Sequence, residues 1–221
     1  MKMKKVIIVC VVLIAAVLTS NAQVFVGGGL GVDFNGGKYK GGSVSIDSPS
    51  KFSFNFTPKV GFYLNDNFAI GLEVGLSSTT TKTPKEIYGW SDDRKVSSFG
   101  WEVGAFARYN LLGTERLSLL LEGTLGVGGE KSKTKQGSTT QDGDSETMFG
   151  ISVLPVLQYS LTDRLCLEMS CDFLRWGFLS STVKDADDYG LKITTNSFGF
   201  GVNSGTLSVI SILNLGLIFK F

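Results

Sequence analysis

Every second residue is apolar through long stretches of this chain, and that periodicity excludes most folds before any motif is sought. In FAIGLEVGL, one face carries Phe68, Ile70, Leu72, Val74 and Leu76, and the other carries Ala69, Gly71, Glu73 and Gly75. Further on, Phe99, Trp101, Val103, Ala105, Ala107, Tyr109 and Leu111 alternate with Gly100, Glu102, Gly104, Phe106, Arg108 and Asn110. Leu119, Leu121, Leu125 and Val127 oppose Ser118, Glu122, Thr124 and Gly126. Leu165, Leu167, Met169, Cys171 and Phe173 oppose Cys166, Glu168, Ser170 and Asp172. A period of two is the mark of a strand with two unlike faces. Eight such runs are read, at about 23–35, 50–64, 68–80, 96–111, 116–130, 146–160, 165–178 and 206–221.

Two architectures accept such strands. A soluble sandwich turns the apolar face inward, and a membrane barrel turns it to lipid and encloses the other face. Three features favour the barrel. The polar-side residues are mostly Gly, Ser and Thr with isolated charges, which suits a narrow lumen better than a water-facing surface. The runs exceed the roughly 5–6 residues of an average strand and reach the roughly 9–11 that cross a bilayer at a tilt. Connections alternate between tight turns (65–67, 113–115, 162–164) and long polar segments, the asymmetry of outer-membrane barrels. Aromatic residues near the turns (Phe62, Phe68, Tyr109, Tyr159, Phe219, Phe221) and near the long segments (Phe52, Trp101, Phe173, Trp176) form two interfacial girdles. The polar segments around 81–95 and 131–145 are read as mobile loops, and Ser180 to about Gly205 as a hairpin extending the last two strands beyond the membrane.

The first 22 residues differ from the rest. Lys2, Lys4 and Lys5 precede an unbroken apolar run, Val6–Leu18, and small residues lead to a cut expected at Ala22–Gln23. The run is short for a spanning helix, so 1–22 reads as a secretory signal peptide and 23–221 as one domain. Cys10 lies inside the apolar run without a lipidation box, and Cys166 and Cys171 point to opposite faces of one strand, so neither lipidation nor a disulfide between them is expected.

At the other end, Leu215, Leu217, Phe219 and Phe221 share one face of a strand that closes the chain on an aromatic residue. This pattern resembles the C-terminal signal read by the outer-membrane insertion machinery. The eight-strand layout is similar to small outer-membrane barrels of the outer-membrane protein A and X type, the porin-family or outer-membrane β-barrel domains, with an Ala-Gln junction like that of Bacteroidetes exported proteins. The resemblance implies an all-β, eight-stranded, antiparallel, up-and-down transmembrane barrel in the outer membrane. It implies lipid and the insertion machinery as partners, a monomer, and an extracellular ligand met through the long loops.

Chemistry is constrained by composition. The chain has no histidine, which excludes Ser-His-Asp and Cys-His catalysis and histidine-ligated metals, and its net charge of +1 gives no reason for a nucleic-acid partner. Gly27–Gly31 lacks the spacing of a dinucleotide fingerprint, and Gly123–Gly128 lacks the Lys-Ser/Thr of a phosphate loop. Asp142, Asp144 and Glu146 lack a full calcium-loop pattern and are read as solvated charges. No cofactor or metal is expected. The inward carboxylates Glu73, Glu102, Glu122, Glu168 and Asp172 share their face with Lys59 and Arg108, and with Lys220. In an eight-stranded barrel the interior is only wide enough for side chains to fill it, and charges there must be paired. They are read as a lumen ion-pair network. With Leu64 set opposite Phe68, paired residue numbers sum to 132 and Lys59 faces Glu73 directly. The reading is a non-enzymatic barrel with a filled lumen, acting in the envelope or through adhesion and recognition by its loops. The rivals are a small-solute channel and a histidine-independent enzyme acting on lipid.

Overall fold

The computed structural model describes residues 23–41, 44–171, 174–184, 191–200 and 213–221. The signal segment 1–22, Asp172, Phe173 and the first part of the expected last strand lie outside them. The strands are β1 (Val24–Asn35), β2 (Lys38–Gly41), β3 (Val44–Asp47), β4 (Ser50–Asn65), β5 (Phe68–Thr83), β6 (Arg94–Gly113), β7 (Leu117–Gln136), β8 (Thr139–Ser160), β9 (Leu165–Cys171), β10 (Trp176–Lys184), β11 (Lys192–Phe200) and β12 (Leu213–Lys220).

Eight of them close a ring, in the order β1, β4, β5, β6, β7, β8, β9, β12 and back to β1, every neighbour antiparallel. The expected barrel is therefore present, and β12 closes it: Phe25 pairs with Lys220, Val26 with Phe219, and Phe219 with Leu165 on the other side. The seventh position is divided. β9 pairs with Val156–Ser160 of β8, while β10 pairs with Ser145–Val153 of the same strand. β10 and β11 then form a hairpin that begins at Trp176, earlier than the expected Ser180, and β2 and β3 form a small separate one.

The turn end is made by side chains that substitute for backbone partners. Asn65 Oδ1 accepts the Asn67 amide at 3.0 Å, Thr114 Oγ1 accepts that of Leu117 at 3.1 Å, and Thr162 Oγ1 accepts that of Leu165 at 3.0 Å. Such Asx and Ser/Thr turns reverse the chain in few residues. At the other end the expectation of a mobile loop over 131–145 is corrected. The β7–β8 ladder continues to Gln136 and Thr139, and only Gly137 and Ser138 turn. Gly137 has φ of 58°, a left-handed conformation that glycine adopts without penalty. Alternating Ser, Thr and Lys residues can sustain a strand once a neighbouring ladder pairs their backbone. The segment after β5 does leave the sheet, with a helical turn at Lys85–Tyr88 ending on Gly89.

Burial follows the alternation. Leu121 is 38% exposed, while its neighbours Leu120 and Glu122 are 6% and 4% exposed. Large apolar residues that face outward (Leu72, Val74, Trp101, Val103, Leu125, Leu217, Phe219) are exposed. The buried residues Phe25, Ala69, Phe106, Cys166 and Ile218 pack inside near the turn end, and Leu120, Leu154 and Val156 form a second inner cluster.

Candidate functional site

The polar core of the barrel is organised around Arg108, which is 3% exposed. β6 carries it into the lumen because its neighbours, Ala107 and Tyr109, occupy the outward positions. Register places Arg108 directly opposite Glu122 on β7, and its Nε donates to Glu122 Oε2. The other end of the guanidinium crosses the lumen. Nη1 and Nη2 donate to Glu168 Oε1 and Oε2 on β9, at 2.6 and 2.9 Å, a bidentate pair whose planar geometry suits arginine. Gln158 on β8, opposite Glu168, donates from Nε2 to Glu168 Oε1 at 2.9 Å. Arg108 also lies between two rings, with its Cζ 5.1 Å from the centroid of Phe106 and 5.5 Å from that of Phe25, distances that allow cation–π attraction.

Lys59 extends the network. It faces Glu73 across the β4–β5 hairpin, as expected, even though the register slips between Tyr63 and Asn65 and Leu64 is left out of the ladder. Its stronger contacts are elsewhere. Lys59 Nζ donates to both oxygens of Glu122, at 3.2 and 3.3 Å, while Glu73 Oε2 lies at 3.7 Å. Lys59 thus reaches across to a strand three positions away in the ring. Lys220 faces the same interior, 5.6 Å from the centroid of Tyr63. Three cations, Lys59, Arg108 and Lys220, therefore accompany three carboxylates, Glu73, Glu122 and Glu168. Burial without such compensation would be costly.

Of the residues singled out in the sequence, Lys59, Glu73, Arg108, Glu122 and Glu168 are brought together. Glu102 stands apart. It lines a cavity of about 190 Å³ nearer the loop end, together with Thr124, Ser152 and Arg175. Asp172 lies outside the described residues. Leu215, Leu217, Phe219 and Phe221 all face outward and are exposed, as their spacing requires. Gln158 and the inward rings of Phe25 and Tyr63 were missed. Their parity was readable, since Gln158 separates Leu157 from Tyr159, but neutral and aromatic residues drew no attention in a search for charge.

A closed antiparallel barrel with an apolar outer belt, a charged and filled interior, and short turns at one end is an outer-membrane β-barrel protein. The family comparison specifies the class: residues 7–204 match the model for the outer membrane protein beta-barrel domain, and the chain belongs to that family. No curated protein matches the chain. Similar solved structures include Neisserial surface protein A, at 17% identity and a TM-score of 0.39, covering 91% of this chain and 100% of that one. The attachment invasion locus protein of Yersinia pestis shows 13% identity and a TM-score of 0.37 over the same shares. A major outer membrane protein of Thermus thermophilus gives the same values.

Proposed function

We propose that this protein is a sealed barrel, exported by cleavage after Ala22 and inserted through its C-terminal strand, that works at the membrane surface rather than by passing solute or by catalysis. The observation that carries this is the lumen. Arg108, Glu122, Glu168 and Gln158 are each at most 6% exposed and join β6, β7, β8 and β9 across the interior, with Lys59 of β4 bonded to the same Glu122. A desolvated network of paired charges supports a closed lumen, without a water path or a substrate position beside these carboxylates among the described residues. The surfaces left for recognition are the loop-side ends, where β6, β7 and β8 run 20, 20 and 22 residues, about twice what a bilayer crossing needs. These project from the membrane as a rigid platform for adhesion or recognition, with the tight turns in the periplasm.

The test is conductance of purified protein in planar lipid bilayers. A quiet bilayer, with insertion confirmed by resistance to cold SDS and a migration shift on boiling, is the expected result. Stable single-channel openings would establish the channel reading instead, and hydrolysis in a lipid-substrate screen would establish the enzyme.

A further inference from the structure

On the loop side of the buried plug the inner wall changes from large side chains to glycine. Its rungs, read from the plug toward the loops, run Thr124–Ser152–Gly177, then Gly126–Gly150–Leu179, then Gly128–Met148, and Glu102 joins the last from β6. One rung below them Glu122 faces Leu154, and both are buried in the filled part of the lumen. A glycine in every upper rung leaves empty the space that side chains occupy below. That space is the cavity of about 190 Å³.

The hollow carries opposite charges on its two flanks. Glu102 enters from β6. Arg175 immediately precedes β10, on the other side of the β7–β8 wall, and its Nη1 donates to Ser152 Oγ at 3.1 Å. Ser152 Oγ is also 2.8 Å from Thr124 Oγ1, so the guanidinium and two hydroxyls form one polar corner. Glu102 differs from the carboxylates of the plug. Glu73, Glu122 and Glu168 each lie within ion-pair distance of a cation. Glu102 meets no cation among the described residues, Arg175 included. Met148 and Leu179 add apolar surface between the two charges.

We propose that this hollow binds a small zwitterion, a free amino acid with an apolar side chain. Its ammonium group pairs with Glu102, and its carboxylate takes N–H donors from the Arg175 fork, a geometry that suits a carboxylate. Its side chain lies against Met148 and Leu179. Size agrees with this class. A cavity of about 150 Å³ encloses one benzene-sized molecule, whereas drug-sized ligands occupy about 300–1,000 Å³. A single amino acid is therefore accommodated, and a peptide or oligosaccharide is not. The plug forms the floor of the site, so occupancy requires no passage through the barrel. Conductance tests the plug, and binding tests the cavity.

Isothermal titration of the purified, folded barrel in detergent with valine, N-acetylvaline and valinamide separates the contacts. Valine should bind. Each derivative lacks one charge and should bind at least about tenfold more weakly, the loss of one charge-assisted contact. Glu102→Gln should lower the affinity for valine to that of N-acetylvaline for the wild type, and Arg175→Gln to that of valinamide. Gly150→Leu fills the cavity. A Cβ there meets nothing nearer than 3.5 Å, so this variant should keep its migration shift on boiling and bind none of the three compounds. Absence of valine binding by the wild type would overturn the proposal, as would equal binding of valine and both derivatives. Weakening by only one derivative would reduce the site to a single charge and overturn the zwitterion assignment. Undiminished valine binding by folded Gly150→Leu would place the ligand elsewhere and overturn the cavity assignment.

Discussion

Glu122 receives two of the three lumen cations, Lys59 and Arg108, and this sharing sets the energetics of the individual residues. Lys59 is at hydrogen-bond distance from Glu122 and at 3.7 Å from Glu73. Double-mutant cycles with methionine, read by denaturant unfolding in detergent, should give a coupling above about 1 kcal/mol for Lys59 with Glu122 and a smaller one for Lys59 with Glu73. The reverse order would show that the hairpin pair dominates. Arg108→Met should cost more than Lys59→Met, about 3–5 kcal/mol, because it leaves buried Glu168 without a cation and Glu122 with Lys59 alone. Close packing acts on the same scale. A Cβ at Gly71 would lie 2.3 Å from the Val60 carbonyl oxygen and 2.4 Å from the Phe106 ring, whereas one at Gly41 would meet nothing within 4 Å. Gly71→Ala is expected to destabilise by about 1–3 kcal/mol and Gly41→Ala far less. Equal unfolding midpoints for the two variants would count against a filled lumen.

Strands translate this inner detail into an outer surface. On β7, Leu121 faces lipid between the inward Leu120 and Glu122. Leu121→Arg should therefore cost about 2–4 kcal/mol in bilayers, the penalty for a charge near the midplane. Unchanged stability in lipid would mean that the face had been assigned wrongly. The loop-side ends differ among themselves in a way that proteolysis can read. The β7–β8 hairpin keeps its ladder up to Gln136 and Thr139, while the chain leaves the sheet after Thr83 and rejoins it at Arg94. Hydrogen-bonded ladders resist the local opening a protease needs. Brief trypsin treatment should cut at Lys85 before Lys131, Lys133 or Lys135, as followed by mass spectrometry of the fragments. Early cleavage within the three lysines of β7 would show that their ladder opens readily.

At the scale of the whole molecule, stability depends on closure. Phe219 pairs with Val26 on one side and Leu165 on the other, Lys220 with Phe25, and the Phe221 amide donates to the Val24 carbonyl at 2.9 Å. Deleting Phe219–Phe221 removes these links and exposes two strand edges that lipid cannot satisfy. The truncated chain should give no heat-modifiable band on gels after refolding into lipid. A normal band would show that the last three residues serve export alone.

Much of this organisation was legible before any coordinate. Alternation assigned each residue to lipid or lumen, because side chains of a strand have only two directions. Turn length set the local register closely enough to place Lys59 across from Glu73, and a bulge at Leu64 absorbed the error without moving the pair. Composition was a poorer guide to where strands end, since Lys131–Gln136 reads as loop and yet stays in the ladder. The partners across the lumen were not legible. Lys59 with Glu122, and Arg108 with Glu168, connect strands that are not neighbours in the ring, so no hairpin register relates them. Their meeting depends on the radius and stagger of the closed barrel, which all eight strands determine together. Sequence decided which side chains would face inward and which would oppose each other within a hairpin. Tertiary closure alone decided which charges would share the small dry space at the centre, because only a closed ring brings opposite walls within reach of a side chain.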